Sequence, residues 1–195
     1  MNTNSKRSPI SFTETIELGR LDELFNRWNK KEIEYVRIAV NGSHKPIIRN
    51  ISILVSTLSN GWLYAGVAIL MLASQGIASW TLLFTGGLAA CISHCFYSII
   101  KKHLARTRPC DYDATIDLSV KVLDEYSCPS GHVMTATAVA IPLAIAMPTL
   151  LPLIMLCCLI IAWSRISLGH HYPSDLLFGA LLGSVVSLPI SLAII

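Results

Sequence analysis

Charged and imidazole side chains interrupt an otherwise apolar sequence at three places in this chain, each time at a spacing that chemistry can use. The richest is Ser164-Arg165-Ile166-Ser167-Leu168-Gly169-His170-His171-Tyr172-Pro173-Ser174-Asp175. Such groups are costly at membrane depth and therefore mark function. Asp175 follows His171 by four residues, so its carboxylate can hold one ring nitrogen, fix the tautomer and leave the other nitrogen free as a nucleophile. His170 competes by adjacency, with the role of polar neighbour as its plainer use. The second place, Lys101 to Pro109, reads K-x-x-x-x-x-x-R-P. If the helix before Lys101 continues, Arg108 falls on the same face two turns on and Pro109 ends the helix there. The two cations would then project together from a solvent-facing rim, either to hold an anion or to anchor the helix by snorkelling, the use that also suits Lys102 and Arg106. The third place, Pro129-Ser130-Gly131-His132, opens a helix, where free amides and the positive dipole end favour an anion and Gly131 lets its N–H approach closely. Taken alone, His132 also reads as an ordinary helix-end histidine. No cluster of carboxylates and no C-x-x-C pair calls for a metal, and no cofactor is expected.

The elements that must position these residues are membrane helices. With 53% hydrophobic and 14% charged residues in 195, the composition is that of a membrane protein. Apolar segments of about 20 residues place spans near 51–73, 79–100, 130–147, 149–167 and 175–194. The expected fold is therefore all-α, a polytopic membrane helix bundle of about five transmembrane helices with an N-terminal amphipathic helix. Residues 1–50 form the amphipathic N-terminal segment and 51–195 the membrane-embedded part. The first ten residues are polar and expected to fray. Ser11-x-x-Glu14 resembles a capping box, and Leu21, Leu24, Phe25 and Trp28 recur at helical spacing, which predicts an amphipathic helix to about Lys31. It lies in the membrane interface or packs on the bundle. Arg37, Lys45 and Arg49 make residues 32–50 too charged to span.

Ser56, Thr57, Ser59 and Asn60 in the first span should hydrogen-bond to other helices. Asp175, Gly179 and Gly183 share a helix face, which should pack closely inward. The loop 101–128 carries Asp111, Asp113, Asp117, Asp124 and Glu125 and reads as soluble. His94 is expected to be an interior hydrogen-bonded histidine, with His44 and His103 solvated. Met155, Cys91, Cys95, Cys157 and Cys158 read as packing residues. Cys110 and Cys128 could pair only in an oxidising compartment. No removable signal peptide is evident. No basic patch interleaved with aromatics suggests nucleic acid.

Together the three places spell K-x-x-x-x-x-x-R-P, P-S-G-H and S-R-x-x-x-x-x-H-x-x-x-D, in that order and each at a membrane edge. This closely resembles the type 2 phosphatidic-acid phosphatase family, the lipid phosphate phosphatases related to vanadium haloperoxidases. Lys101, Arg108, Pro109, Pro129, Ser130, Gly131, His132, Ser164, Arg165, His171 and Asp175 fill every motif position. The resemblance implies that Lys101, Arg108 and Arg165, with Ser130 and Gly131, hold phosphoryl oxygens. It implies that His171 attacks phosphorus to give a phosphohistidine, that Asp175 steadies it, and that His132 protonates the leaving group. The implied substrate is a lipid phosphate or diphosphate of the phosphatidic acid, phosphatidylglycerol phosphate or prenyl class, met among membrane lipids. A phosphotransferase using the same phosphohistidine is the alternative, and a non-catalytic scaffold a more distant one.

Orientation sets physics against family habit. Of fifteen Lys and Arg, nine lie in residues 1–50, five between 101 and 121, and the last is Arg165. With five spans all fall on one side, and positive flanks stay cytoplasmic. The expectation is a protein of a bacterial inner membrane with a cytoplasmic N-terminus, a cytoplasm-facing active site and an external C-terminus. Members of the family usually have six spans and an active site outside the cytoplasm.

Overall fold

The computed structural model describes residues 12–116, 120, 122 and 124–195. The expected cap at Ser11, the tail before it and Asp117 lie outside these residues. All regular structure among them is helical: α1 (Phe12–Gly42), α2 (Pro46–Leu58), α3 (Trp62–Gln75), α4 (Trp80–Leu104), α5 (Pro109–Tyr112), α6 (Gly131–Ala146), α7 (Leu151–Ser167) and α8 (Pro173–Ile194). The short links 76–79 and 148–150 are single 3-10 turns.

Helix α1 runs well past the expected end near Lys31. Its buried stripe explains the extension, because Phe25, Asn29, Ile33, Val36 and Ala39 keep one face turned inward through four turns. Ile33 and Val36 form a core cluster with Ile116 and Tyr172, and Trp28 stacks on Phe178 at 6.2 Å between ring centroids. Of the two expected placements, α1 takes the one packed on the bundle. Ser43 closes it, both its N–H and its hydroxyl reaching the Ala39 carbonyl.

The first expected span, 51–73, is broken. Gly61, at φ 136°, holds a left-handed conformation that a side chain would strain, and the chain turns there between α2 and α3. Helix α2 packs instead against the end of α7, where Ser167 Oγ donates to Ser52 Oγ at 2.9 Å and Arg165 Nη1 donates to Ser56 Oγ. Of the residues expected to bond to other helices, Ser56 does so from the shorter α2 and Asn60 meets His132, whereas Thr57 and Ser59 donate to the Ile53 and Ser56 carbonyls of their own helix.

The bundle packs small residues between its helices, as membrane helices do, and leaves many large apolar side chains exposed. Its interior uses small residues: Thr85, Ser93, Ser187 and Ser191 are buried, and Ser187 Oγ donates to the Ala138 carbonyl at 2.7 Å. Ile69, Leu70, Leu177, Leu181 and Leu192 face outward. Met155, Cys91, Cys95 and Cys157 are exposed on this outer face rather than packed, and all six cysteines are free. By length and apolar composition, Trp62–Tyr112, Pro148–Ser167 and Pro173–Ile194 can cross a membrane, and Pro46–Leu58 and Gly131–Ala146 are shorter apolar helices.

Helices α6 and α8 make the closest contact. A Cβ on Gly179 would sit 2.4 Å from the Ser130 carbonyl oxygen, and one on Gly183 would sit 2.5 Å from that of Met134. The expected inward face of Asp175, Gly179 and Gly183 is therefore the seam that fixes α8 against the start of α6.

Candidate active site

The pocket lies at one end of the bundle, where α3, α6 and α8 begin and α4 and α7 finish. Between α7 and α8 the chain turns through Gly169, at φ 70°, where a Cβ would meet Ile116 at 2.6 Å. The turn places His171 beside the first turn of α8. Asp175 Oδ2 accepts the Tyr172 N–H at 2.8 Å and stands 3.6 Å from His171 Nδ1, just beyond hydrogen-bonding distance. The sequence-expected pair is therefore brought together, in a fully buried setting. Burial, then the charges of Arg108, Arg165 and Lys101, hold His171 well below the ordinary imidazole range, so the ring is neutral at physiological pH. His170 points elsewhere, its Nε2 2.9 Å from the Val120 carbonyl oxygen. Burial, then Arg165, pushes it down to about 3.

The cations reach the site by a route the sequence did not suggest. Helix α4 stops at Leu104, with Ala105 left-handed at φ 44°, so Lys101 and Arg108 do not share a helix face. Arg108 is instead the extended residue before Pro109, as proline prefers. Neither cation sits at a solvent-facing rim: Lys101 is 5% and Arg108 2% exposed. They converge on Asp124 of the loop. Lys101 Nζ donates to Asp124 Oδ2 at 2.8 Å, Arg108 Nη2 donates to Oδ1, and the Tyr97 hydroxyl donates to Oδ2 at 2.7 Å. Burial alone would raise the Asp124 carboxyl, but these hydrogen bonds and the two positive charges bring it down to about 2. Arg108 Nη1 also donates to the His170 carbonyl at 2.5 Å, tying the second motif to the third. Arg165, in the last turn of α7, is buried beside them with its Nε unpartnered among the described residues.

At the start of α6 the Ser130 N–H donates to the Asp175 carbonyl at 3.0 Å, while its buried hydroxyl finds no partner among the described residues. Gly131 lies against the Tyr97 ring, where a Cβ would be 3.1 Å from the hydroxyl oxygen. His132 Nε2 is 2.6 Å from Asn60 Oδ1 in the break between α2 and α3.

A pocket of about 400 Å³ is lined by His171, His132, Arg108, Arg165 and Gly131, together with Asn60, Tyr64, His94, Tyr97 and Asp124. Lys101, Ser130 and Asp175 stand behind this wall. Asn60, Tyr97 and Asp124 were missed as site residues. Tyr97 carried a signal, being one helical turn before Lys101; the other two had none that set them apart. His94 is exposed at the pocket, bonded to the Ala90 carbonyl, and is not the interior histidine expected. An apolar groove of about 240 Å³ between α3, α6 and α7 shares Tyr64 with the pocket and extends along these helices to Met147 and Leu150.

Arg106 departs furthest from expectation. Far from snorkelling, it is 1% exposed and donates from Nη1 to Asp175 Oδ1 at 2.6 Å.

A helical membrane bundle that closes one end over buried cations and a histidine–carboxylate pair has the architecture of a membrane phosphatase. The chain belongs to the PAP2 superfamily, whose family model matches residues 78–194. It is 34% identical over 126 residues to the decaprenylphosphoryl-5-phosphoribose phosphatase of Mycobacterium tuberculosis, covering 65% of this chain and 67% of that one. The protein of the same name from Mycolicibacterium smegmatis is 31% identical over 121 residues, covering 62% and 63%. Among solved structures, the fold is similar to that of Aquifex aeolicus LpxE, with a TM-score of 0.71 at 21% identity, covering 83% of this chain and 94% of that one. It is also similar to the transmembrane PAP2-type phosphatidylglycerolphosphate phosphatase of Bacillus subtilis, with a TM-score of 0.66 at 18% identity, covering 91% and 92%.

Proposed function

We propose that this membrane phosphatase hydrolyses a lipid phosphate or diphosphate through a phosphohistidine formed on His171. The observation that carries the reading is that His171 opens onto the same pocket as Arg108 and Arg165, with Asp175 behind its ring. In the proposed reaction Nδ1–H faces Asp175 and the lone pair on Nε2 attacks phosphorus. The bond from phosphorus to the lipid oxygen breaks, and the departing oxygen takes a proton held by His132. Water then attacks the phosphohistidine, gives a proton to His132, and releases inorganic phosphate and the free imidazole. Lys101, Arg108 and Arg165 hold the phosphoryl oxygens, joined by the Ser130 hydroxyl and the Gly131 N–H, so catalysis is chiefly positioning and charge stabilisation. The unpartnered Ser130 hydroxyl and Arg165 Nε support this, because buried donors without partners are rare unless a ligand uses them.

The substrate's lipid part is supported by the apolar groove that meets the pocket at Tyr64. The named activity of the mycobacterial relatives adds a polyprenyl-linked phosphate monoester to phosphatidic acid, phosphatidylglycerol phosphate and prenyl diphosphate as candidates. The bacterial source of these relatives and of both solved neighbours supports a bacterial inner membrane as the location. The charge distribution supports a cytoplasm-facing site.

The test is phosphate release by purified protein from each of these lipids presented singly in detergent micelles. His171→Ala should abolish release, and His132→Ala should slow it by about 10²-fold or more. Full activity of His171→Ala would remove the reading. Phosphate appearing only on a second added lipid would replace hydrolysis by transfer.

A further inference from the structure

The side chain of Arg106 is enclosed between two aromatic rings, its guanidinium carbon 4.2 Å from the centroid of Tyr172 and 5.2 Å from that of Phe25. Each nitrogen of its fork has a partner. Nη1 donates to Asp175 Oδ1 and to Ser174 Oγ, both at 2.6 Å; Nε donates to Asn29 Oδ1 at 2.9 Å; and Nη2 donates to Glu32 Oε2 at 3.3 Å. Ser174 Oγ donates in turn to Glu32 Oε2 at 2.8 Å, so α1 and the start of α8 share one network. We propose that Arg106, seated by Asn29 and Glu32 of α1, is a positioning residue that fixes the Asp175 carboxylate for His171, which makes the N-terminal helix a working part of the active site.

The two oxygens of Asp175 divide the work. Oδ1 is committed to Arg106, while Oδ2, held by the Tyr172 N–H, is the one that faces His171 Nδ1. A fully buried carboxylate needs a counter-charge. His171 is neutral and does not supply it; Arg106 does. With that charge in place Asp175 stays an acceptor, and the only proton it can accept from the imidazole is the one on Nδ1. The nucleophilic lone pair is thereby left on Nε2. A planar guanidinium suits the task because it bonds Asn29 and Asp175 in one fixed geometry, which an ammonium cannot reproduce. Asn29 and Glu32 lie outside the 78–194 segment that the family model matches.

The inference rests on His171 as the nucleophile and extends it, so one readout is taken that needs no substrate. In protein labelled with 15N-histidine, the His171 resonances, assigned by their loss in His171→Ala, should report the Nδ1–H tautomer. In Arg106→Gln that tautomer should be lost or mixed with the Nε2–H form. An unchanged tautomer in folded Arg106→Gln would overturn the proposal without touching the proposed reaction, whereas an Nε2–H form in the wild type would overturn both. With phosphatidic acid or a polyprenyl phosphate in micelles, kcat should fall by about tenfold or more in Arg106→Gln and recover in part in Arg106→Lys, with KM within about twofold. A rise in KM at constant kcat would instead class Arg106 with the substrate-binding cations. Should Arg106→Gln fail to fold, Asn29→Ala decides: kcat should fall by about threefold at unchanged KM, and wild-type kcat in that folded variant refutes the proposal. Retained activity in His171→Ala marks failure of the reaction scheme instead.

Discussion

Asp124 occupies the two cations that the proposed phosphoryl group must engage. A dianionic substrate or vanadate has to displace that carboxylate from Lys101 and Arg108 before it binds. Asp124→Asn keeps the size and removes the charge, so the KM for substrate and the inhibition constant of vanadate should each fall by about three- to tenfold. Steady-state kinetics with vanadate titration checks this; a rise in both constants would mean that the carboxylate holds the cations in place for substrate. The buried histidines give a second expectation at this scale. Unfolded histidine takes a proton near 6.5, whereas His170 does so only at about 3 and His171 well below 6.5. Between those values the unfolded chain binds more protons, so stability falls as pH drops below 6.5, by about 1.4 kcal/mol per pH unit for each histidine. Asp124 adds a further loss only as pH falls from its ordinary range toward about 2. Thermal unfolding in detergent from pH 7.5 to pH 5 should show a declining Tm, with a shallower slope in His170→Gln. The motif residues that line the pocket or stand behind it were legible because three short patterns set them apart from the apolar sequence. Their partners were not: Asp124 sits in an irregular acidic loop beside other carboxylates, and Arg106 finds Asn29 across 77 residues of chain. A buried ion pair between distant segments leaves no local period, so Arg106 looked like any cation at a helix end.

Among elements, the seam of α6 with α8 sets the geometry of the site, because α6 carries Gly131 and His132, with Ser130 just before it, and α8 carries Asp175. Gly179→Ala would drive a methyl to 2.4 Å from the Ser130 carbonyl oxygen, which is backbone and cannot swing away. The helices must separate, and the cost expected is about 1–3 kcal/mol with a parallel loss of kcat. Gly87→Ala in α4 meets nothing within 4 Å and should leave both stability and kcat near wild type. Thermal unfolding together with phosphate release compares the two, and equal behaviour would refute the role of the seam. This seam was visible in sequence as small residues four apart on one face. The break at Gly61 was not: the apolar run from Ile51 onward satisfies a spanning pattern, and a single glycine in it gives no sign that the chain turns there. The extension of α1 was hidden for another reason. The charges at Lys30, Lys31, Glu32, Glu34 and Arg37 drew attention away from the Ile33, Val36 and Ala39 stripe, yet all but Glu32 lie on the exposed face of the same helix.

For the whole molecule, what matters is which end of the bundle faces the cytoplasm. Every Lys and Arg among the described residues lies in α1, in α2 or the link before it, in the segment from the end of α4 through Arg108, or at the end of α7. The pocket joins these places: α1 packs over its rear through Arg106, α2 through Ser56 and Arg165, and α4 delivers Lys101. The opposite end, made by the links 76–79 and 146–150, carries no Lys or Arg. Because α3, α6 and α8 begin at the pocket end and α4 and α7 finish there, the chain alternates direction and keeps the charge asymmetry across its full depth. Basic flanks are retained in the cytoplasm, so the proposed orientation has the pocket on the cytoplasmic face and the Gln75 link outside. In that orientation the substrate phosphate would be presented from the cytoplasmic leaflet, and Cys110 and Cys128 would stay reduced. In a variant lacking the six native cysteines, Gln75→Cys should react with an impermeant maleimide on intact cells. Glu125→Cys, exposed in the loop over the pocket, should react only after the membrane is permeabilised. Labelling of Glu125→Cys but not Gln75→Cys on intact cells would reverse the orientation and place the phosphate-releasing step on the outer face.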